Sequence, residues 1–186
     1  MRKLNSLRKL SSFLMMSLDG VVEAPNIFVR QGLYGDITEL IRETIAEQDA
    51  VLLGRKQYEE WSGFWPSSNI QPFADFINST PKFVVSSVLR DVRWNMSTII
   101  NQDLSTSIAD LKSRSGKAIG VHGSISLVQS LLRAGALDEM RFIQFPVIAG
   151  NGRRLLENSA TPLQLNLKAS RRTESGLQYL VYGKHV

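Results

Sequence analysis

Three apolar runs in this sequence each end on groups that bind anions. Val51-Leu52-Leu53 leads into Gly54-Arg55-Lys56, Phe83-Val84-Val85 into Ser86-Ser87, and Ile119-Gly120-Val121 into His122-Gly123-Ser124-Ile125. In an open α/β sheet ligands bind beyond the carboxyl ends of the strands, which is where these groups fall if the runs are strands. The chemistry they offer is phosphate recognition. Arg55 brings a planar fork of donors suited to a phosphate monoester, and Lys56 a point charge. Gly54 lets the backbone turn close to a ligand. The Ser86 and Ser87 hydroxyls suit ribose or phosphate oxygens. Gly123 and Ser124 open a helix, whose unsatisfied N–H groups and positive dipole end favour a pyrophosphate. Each group also has a plainer use: a solvated cation, a turn, a helix cap. Their recurrence at successive strand ends favours one shared, phosphorylated ligand.

The carboxylates give less direction. Asp19 ends the first strand at the mouth of such a crevice, and Asp36 and Glu39 begin the helix that would wall it. Any one of them, desolvated beside a reacting group, would serve as a general acid. As turn residue and helix N-cap, Asp19 and Asp36 have structural uses as well. His122 is either a donor to ligand or a structural group, and His185 is a solvated tail residue. Trp61, Phe64 and Trp65 form a lid or pack their loop. In "AGNGRRLL" a glycine pair lacks the third glycine of a dinucleotide fingerprint, so Gly150 and Gly152 read as turn residues.

Composition removes other chemistries. There is no cysteine and only two histidines in 186 residues. Disulfides, thiolate nucleophiles and zinc-ligand spacings are therefore excluded, and no metal site is expected; there is no HExxH or GxSxG. Twenty-two Lys and Arg against 17 Asp and Glu give a net charge of +5. The excess is scattered: Arg2, Lys3, Arg8 and Lys9 crowd the start, Arg153-Arg154 and Arg171-Arg172 form pairs, and no basic helix interleaves with aromatics. A nucleic-acid partner is not expected. The basic, moderately apolar start imitates a signal peptide, but Ser11, Ser12 and Ser17 interrupt it and Asp19-Gly20 stops it like a strand. No run approaches a membrane span. A cytoplasmic protein is expected.

These residues need elements to hold them. The pattern predicts a strand over residues 9–18, a helix from an Asp36 N-cap to about Gln48, a strand over 50–54, and an aromatic loop through Trp61, Phe64, Trp65 and Pro66. A short helix over 72–79 follows, then a strand from Phe83, a strand over 98–101, a helix over 103–113, the strand of "KAIGV", and a helix from Gly123-Ser124 stopped at Gly135. Strands over 139–148, 163–169 and 177–182 then follow without helices. In "LQLNLK" Leu163, Leu165 and Leu167 alternate as an inward face with Gln164, Asn166 and Lys168 outward. Strand-helix alternation followed by an antiparallel set predicts an α/β fold: one domain over 1–186, a central mixed, mostly parallel sheet with an antiparallel C-terminal portion, and flanking helices.

The ordered series "MSLDGVVE", "VLLGRKQYEEW" with "FWP", "PKFVVSSVL", "GSISLVQSLLRAGALDEMRF", "FPVIAGNGRRLLE" and "TESGLQYLVY" resembles the dihydrofolate reductase-like family. Within it, the match is to the branch of the reductase domain of the bifunctional riboflavin-biosynthesis deaminase/reductase and its stand-alone relatives, from about Lys9 to Tyr182. The resemblance implies the three-layer fold of that family, NADPH as cofactor, and hydride transfer to a carbonyl or imine of a small pteridine- or aminopyrimidine-like substrate. It lays Gly54, Arg55, Lys56 and Gln57 along the 2′-phosphate and pyrophosphate, Ser86 and Ser87 at the adenosine side, and Gly123, Ser124 and Ile125 over the pyrophosphate. It also implies a homodimer. The sequence departs from the family twice. Gln57 stands where a threonine hydroxyl is usual, and His122 takes the first place of a glycine pair, a cofactor-side position where the resemblance suggests a cis bond between 122 and 123. A nucleotide-binding protein of the same fold without turnover is the alternative; a structural domain binding no nucleotide is a third.

Overall fold

A computed structural model describes residues 7–157 and 162–185. Arg2 and Lys3 of the basic start lie outside the described residues. The strands are β1 (Leu10–Ser17), β2 (Gln48–Gly54), β3 (Lys82–Val85), β4 (Ser97–Ile100), β5 (Ala118–Val121), β6 (Glu139–Phe145), β7 (Leu165–Arg172) and β8 (Gln178–Lys184); the α-helices are α1 (Tyr34–Ala46), α2 (Arg55–Phe64), α3 (Phe73–Ser79), α4 (Leu104–Ser113) and α5 (Ile125–Arg133). They form one eight-stranded sheet in the order β4-β3-β2-β5-β1-β6-β8-β7. β8 alone runs against the others, pairing antiparallel with β6 and β7.

Period-two alternation builds the two faces. In β2, Ala50 and Leu52 join one apolar cluster with Ile108 and Leu111 of α4 and Val128, Leu131 and Leu132 of α5. Val51 and Leu53 point the other way, into a cluster with Ile45 of α1, Tyr58 of α2 and Ile77 of α3. A strand covered on both sides must be apolar at every position, as "AVLLG" is. The result is three layers: α4 and α5, the sheet, then α1 to α3.

Three expectations are corrected. The aromatic segment after β2 is helix rather than loop: α2 runs to Phe64 and continues as a 3-10 turn over Trp65–Ser67. Tyr58, Trp61 and Trp65 recur at helical spacing, and the stripe packs on α3, with the Trp61 and Trp65 rings 5.5 and 4.8 Å from Phe73. Asp36 is not an N-cap, since α1 already begins at Tyr34. Leu163 and Leu167 do not face inward; both are more than half exposed. β7 is an edge strand, and most of its residues are exposed. Among the described residues no helix is long and apolar enough to cross a membrane.

Candidate functional site

The sheet order brings the anion-binding strand ends together. β3, β2 and β5 are adjacent and parallel, with Gly54 beside Val85 and Leu52 beside Val121. Beyond their ends α2 and α5 start in contact: the Gly54 N–H donates to the Gly123 carbonyl at 3.1 Å. A Cβ on Gly54 would lie 2.5 Å from Ser124 Oγ and 3.2 Å from its backbone nitrogen, and one on Gly123 would lie 2.5 Å from Gln57 Oε1. Only glycine lets the two helix starts approach this closely. Gly123 also has φ +131°. Neither start is capped: Gly54 has no side chain to do so, Ser124 makes no capping bond, and no acidic residue stands in either first turn. Two sets of first-turn N–H groups therefore start side by side at the carboxyl ends of β2 and β5.

Beside them lies a groove of about 490 Å³ lined by Arg55, Val85, Ser86, Ser87, Val88, Ile100, Asn101 and Gln102. Arg55 donates through Nη1 to both oxygens of Glu59 at 2.8 Å, one turn along α2. Ser86 is buried, and its Oγ accepts from the N–H groups of Val88 and Leu89, at 3.2 and 2.9 Å. It shapes the turn that forms the groove, while Ser87 is exposed on it. Lys56 is exposed on the first turn of α2, and Ile125 is the first residue of α5, its side chain against the core.

His122 is a correction. Its ring is buried, with Nε2 2.8 Å from Gln48 Oε1, and it sits among Phe13, Trp61, Phe73 and Phe76. Desolvation drives its pKa down to about 4, so the imidazole is neutral. Its side chain belongs to the core and not to the crevice. At this junction the cis peptide bond is Gly123–Ser124, one position after the expected one.

The carboxylates are occupied too. Asp19 accepts from Ser17 Oγ (2.7 Å) and the N–H groups of Ala149 and Gly150 (both 2.9 Å), and Arg154 donates to its carboxylate and its carbonyl. The Ser17 hydroxyl, followed by the amides, holds its pKa well below the usual range. Asp36 accepts from the N–H and Oγ of Ser175, tying α1 to the β7–β8 turn, and these bonds lower its pKa as well. A general acid needs a shift in the opposite direction. Glu39 is exposed and paired with Arg42.

Sequence reading missed Arg153. Its backbone is docked on β1's exit, with N–H to Glu23 Oε2 (3.1 Å) and C=O accepting from Val22, and its Nη2 donates to Ser126 Oγ at 3.2 Å in the first turn of α5. Gly152-Arg153 after β6 repeats the Gly54-Arg55 pattern after β2, which is the signal that could have found it. Gly150 and Gly152 are turn residues with φ of +75° and +117°.

Among curated proteins the chain is 27% identical over 180 residues to the uncharacterized protein YyaP of Bacillus subtilis (strain 168), covering 94% of each. Among solved structures it resembles a candidate riboflavin biosynthesis protein of Shewanella sp. PV-4 (TM-score 0.72, 21% identity, 96% and 99% of the two chains). It also resembles the dihydrofolate reductase of Enterococcus faecalis complexed with NADP(H) (TM-score 0.62, 12% identity, 96% and 97%). These likenesses establish a dihydrofolate reductase-like fold. Residues 8–179 match the RibD C-terminal domain, and the chain belongs to that family.

Proposed function

We propose that the chain is an NADPH-dependent reductase that transfers a hydride to a carbonyl or imine of a small heterocycle. The observation that carries this reading is the contact of two uncapped helix starts, at Gly54 and Gly123-Ser124, beside a groove bearing Arg55. The donor set fits a phosphorylated dinucleotide: amides for the pyrophosphate, and a guanidinium and hydroxyls for a phosphate monoester. Arg55, Lys56 and Ser87 would hold the 2′-phosphate side. Gly54, Gln57, Gly123, Ser124 and Ile125 would line the pyrophosphate. Gln57 replaces a hydroxyl by an amide that still donates.

The bound cofactor would supply the hydride. With the adenosine side at β3 and β4 and the pyrophosphate at β2 and β5, the reactive end falls beyond β1 and β6, the next strands in the sheet. The chain's work there is orientation and exclusion of water. Because the carboxylates at this corner are engaged, the proton comes from solvent.

Fluorescence titration of wild type against Arg55→Ala tests the reading. The substitution is expected to weaken NADPH by about 2 kcal/mol and leave NADH nearly unchanged; equal loss of both, or no NADPH binding by wild type, would overturn it. A second reading, a nucleotide binder without turnover, is favoured by the engagement of Asp19 and Asp36. NADPH oxidation with candidate acceptors in the same assay separates the two.

A further inference from the structure

The groove that holds Arg55 is lined from three neighbouring strand ends. β2, β3 and β4 stand side by side in the sheet, and the lining passes from Arg55 after β2, through Ser87 and Val88 after β3, to Ile100, Asn101 and Gln102 at the end of β4. Val85 and Ile100 are paired in the sheet, and the Ser86 N–H donates to the Ile100 carbonyl at 3.0 Å, which fixes the β3 and β4 sides against each other. Neighbouring strands lie about 4.8 Å apart, so β2 to β4 spans about 10 Å. That width and a volume of about 490 Å³ leave room for a base and a ribose beside a phosphate.

The two sides of the groove differ in chemistry. Arg55 and Ser87 suit an anion. Farther along, Val88 is 62% exposed and Ile100 half-buried, so both present apolar surface to the same space. Asn101 and Gln102 are exposed beside them, and among the described residues neither side-chain amide has a hydrogen-bond partner. The start of α4 does not need them, because Asp103 accepts from the Thr106 N–H at 2.9 Å. An exposed amide is ordinary on a protein surface. Two that line a cavity beside an apolar shelf match a purine, which has apolar faces and an edge where donor and acceptor sit together.

We infer that Asn101 and Gln102 read the base of the bound cofactor, selecting adenine over a purine with oxygen at C6, while Val88 and Ile100 hold its face. The inference rests on the reductase reading, which brings a phosphorylated adenosine to this groove. A side-chain amide meets the adenine edge twice: its carbonyl accepts from the N6 amino group and its NH2 donates to N7. With oxygen at C6 an acceptor faces the amide carbonyl and the double pairing is lost. Turning the amide over recovers one bond of the two. Arg55 and Ser87 then fix the phosphate, and the amides of the β4 end decide which nucleoside carries it.

The test is fluorescence titration of the full chain with NADPH and with reduced nicotinamide hypoxanthine dinucleotide phosphate, which replaces the adenine amino group by oxygen and changes nothing else on the cofactor. Wild type is expected to bind the hypoxanthine form about tenfold more weakly. The double substitution Asn101→Ala with Gln102→Ala should weaken NADPH and bring the two cofactors to within about twofold of each other. This ratio separates base reading from mere shaping of the groove, since a displaced loop weakens both cofactors together. Arg55→Ala provides the control: it should weaken both alike and leave the ratio as in wild type. If wild type binds NADPH but does not distinguish the two, this inference falls while the reductase reading stands. It falls equally if the double variant keeps the wild-type preference or loses both cofactors in parallel. If wild type binds neither, both fall.

Discussion

A parallel strand runs directly into a helix at three places in this sheet, and the three junctions are not finished alike. Where β4 passes into α4, the Asp103 side chain accepts from the Thr106 N–H at 2.9 Å and from its hydroxyl at 3.0 Å. That helix start is complete in itself. Where β2 passes into α2 and β5 into α5, no side chain takes the first-turn N–H groups. Orphan donors at a helix start are ordinarily satisfied by a cap, by water or by a ligand. The capped junction stands alone, whereas the uncapped two touch each other through Gly54 and Gly123. Stability is built at one place, and donors are left available at the other two.

The largest effect expected from breaking this difference is at Gly123. Alanine there meets a φ of +131° and places a Cβ 2.5 Å from Gln57 Oε1. Backbone strain should dominate, at about 3 kcal/mol; the Gln57 amide, the far end of a flexible side chain, can swing aside, so crowding adds little. Urea denaturation would read this directly. Alanine at Gly135 provides the contrast: φ there is +62°, within the left-handed region that L residues can adopt, and its Cβ would meet nothing within 4 Å, so its loss should be the smaller.

The next effect lies one residue earlier, where the β5–α5 junction turns a side chain inward. His122 is held neutral by burial, its pKa lowered from 6.5 to about 4. The unfolded chain takes up that proton at a higher pH than the folded one. His122 therefore contributes stability fully present above pH 6.5 and lost as pH falls toward 4, about 3 kcal/mol in all. Urea midpoints at pH 7 and pH 4.5 should differ accordingly in wild type. His122→Leu should remove most of that dependence while lowering stability at pH 7, because Gln48 loses its partner. A wild-type midpoint that does not move with pH would place the imidazole in contact with water.

The same junctions explain what could be read in the residues and what could not. Strand ends carrying Gly-Arg, Ser-Ser and Gly-Ser were legible because local pattern specifies both the strand and the donor, and the sheet sets those ends side by side. Asp36 was misread because its partner, Ser175, lies 139 positions away. His122 was misread because the face taken by a residue at a strand end depends on which helices cover the sheet, and here α2 and α3 bring three aromatic rings over it. Leu163 and Leu167 failed for a related reason: alternation reports a strand, but its place in the sheet order decides whether the apolar side has anything to meet. α2 is different in kind. Its spacing of Tyr58, Trp61 and Trp65 is helical in the sequence itself, and the loop expected there passes over that spacing.

The smallest expected effect tests the comparison most sharply. Asp103→Ala removes the acceptor for Thr106 N–H and should cost about 1 kcal/mol, the usual worth of an N-cap, with nucleotide affinity unchanged. Ser124→Ala removes a side chain that makes no capping bond, so the same denaturation experiment should show almost no loss. Its effect should appear instead in the NADPH titration, because the hydroxyl stands beside Gly54 at the point where both helix starts open. Were Ser124→Ala to cost as much stability as Asp103→Ala and leave nucleotide binding alone, its hydroxyl would be a cap like any other. The distinction between a finished junction and an open one would then fail.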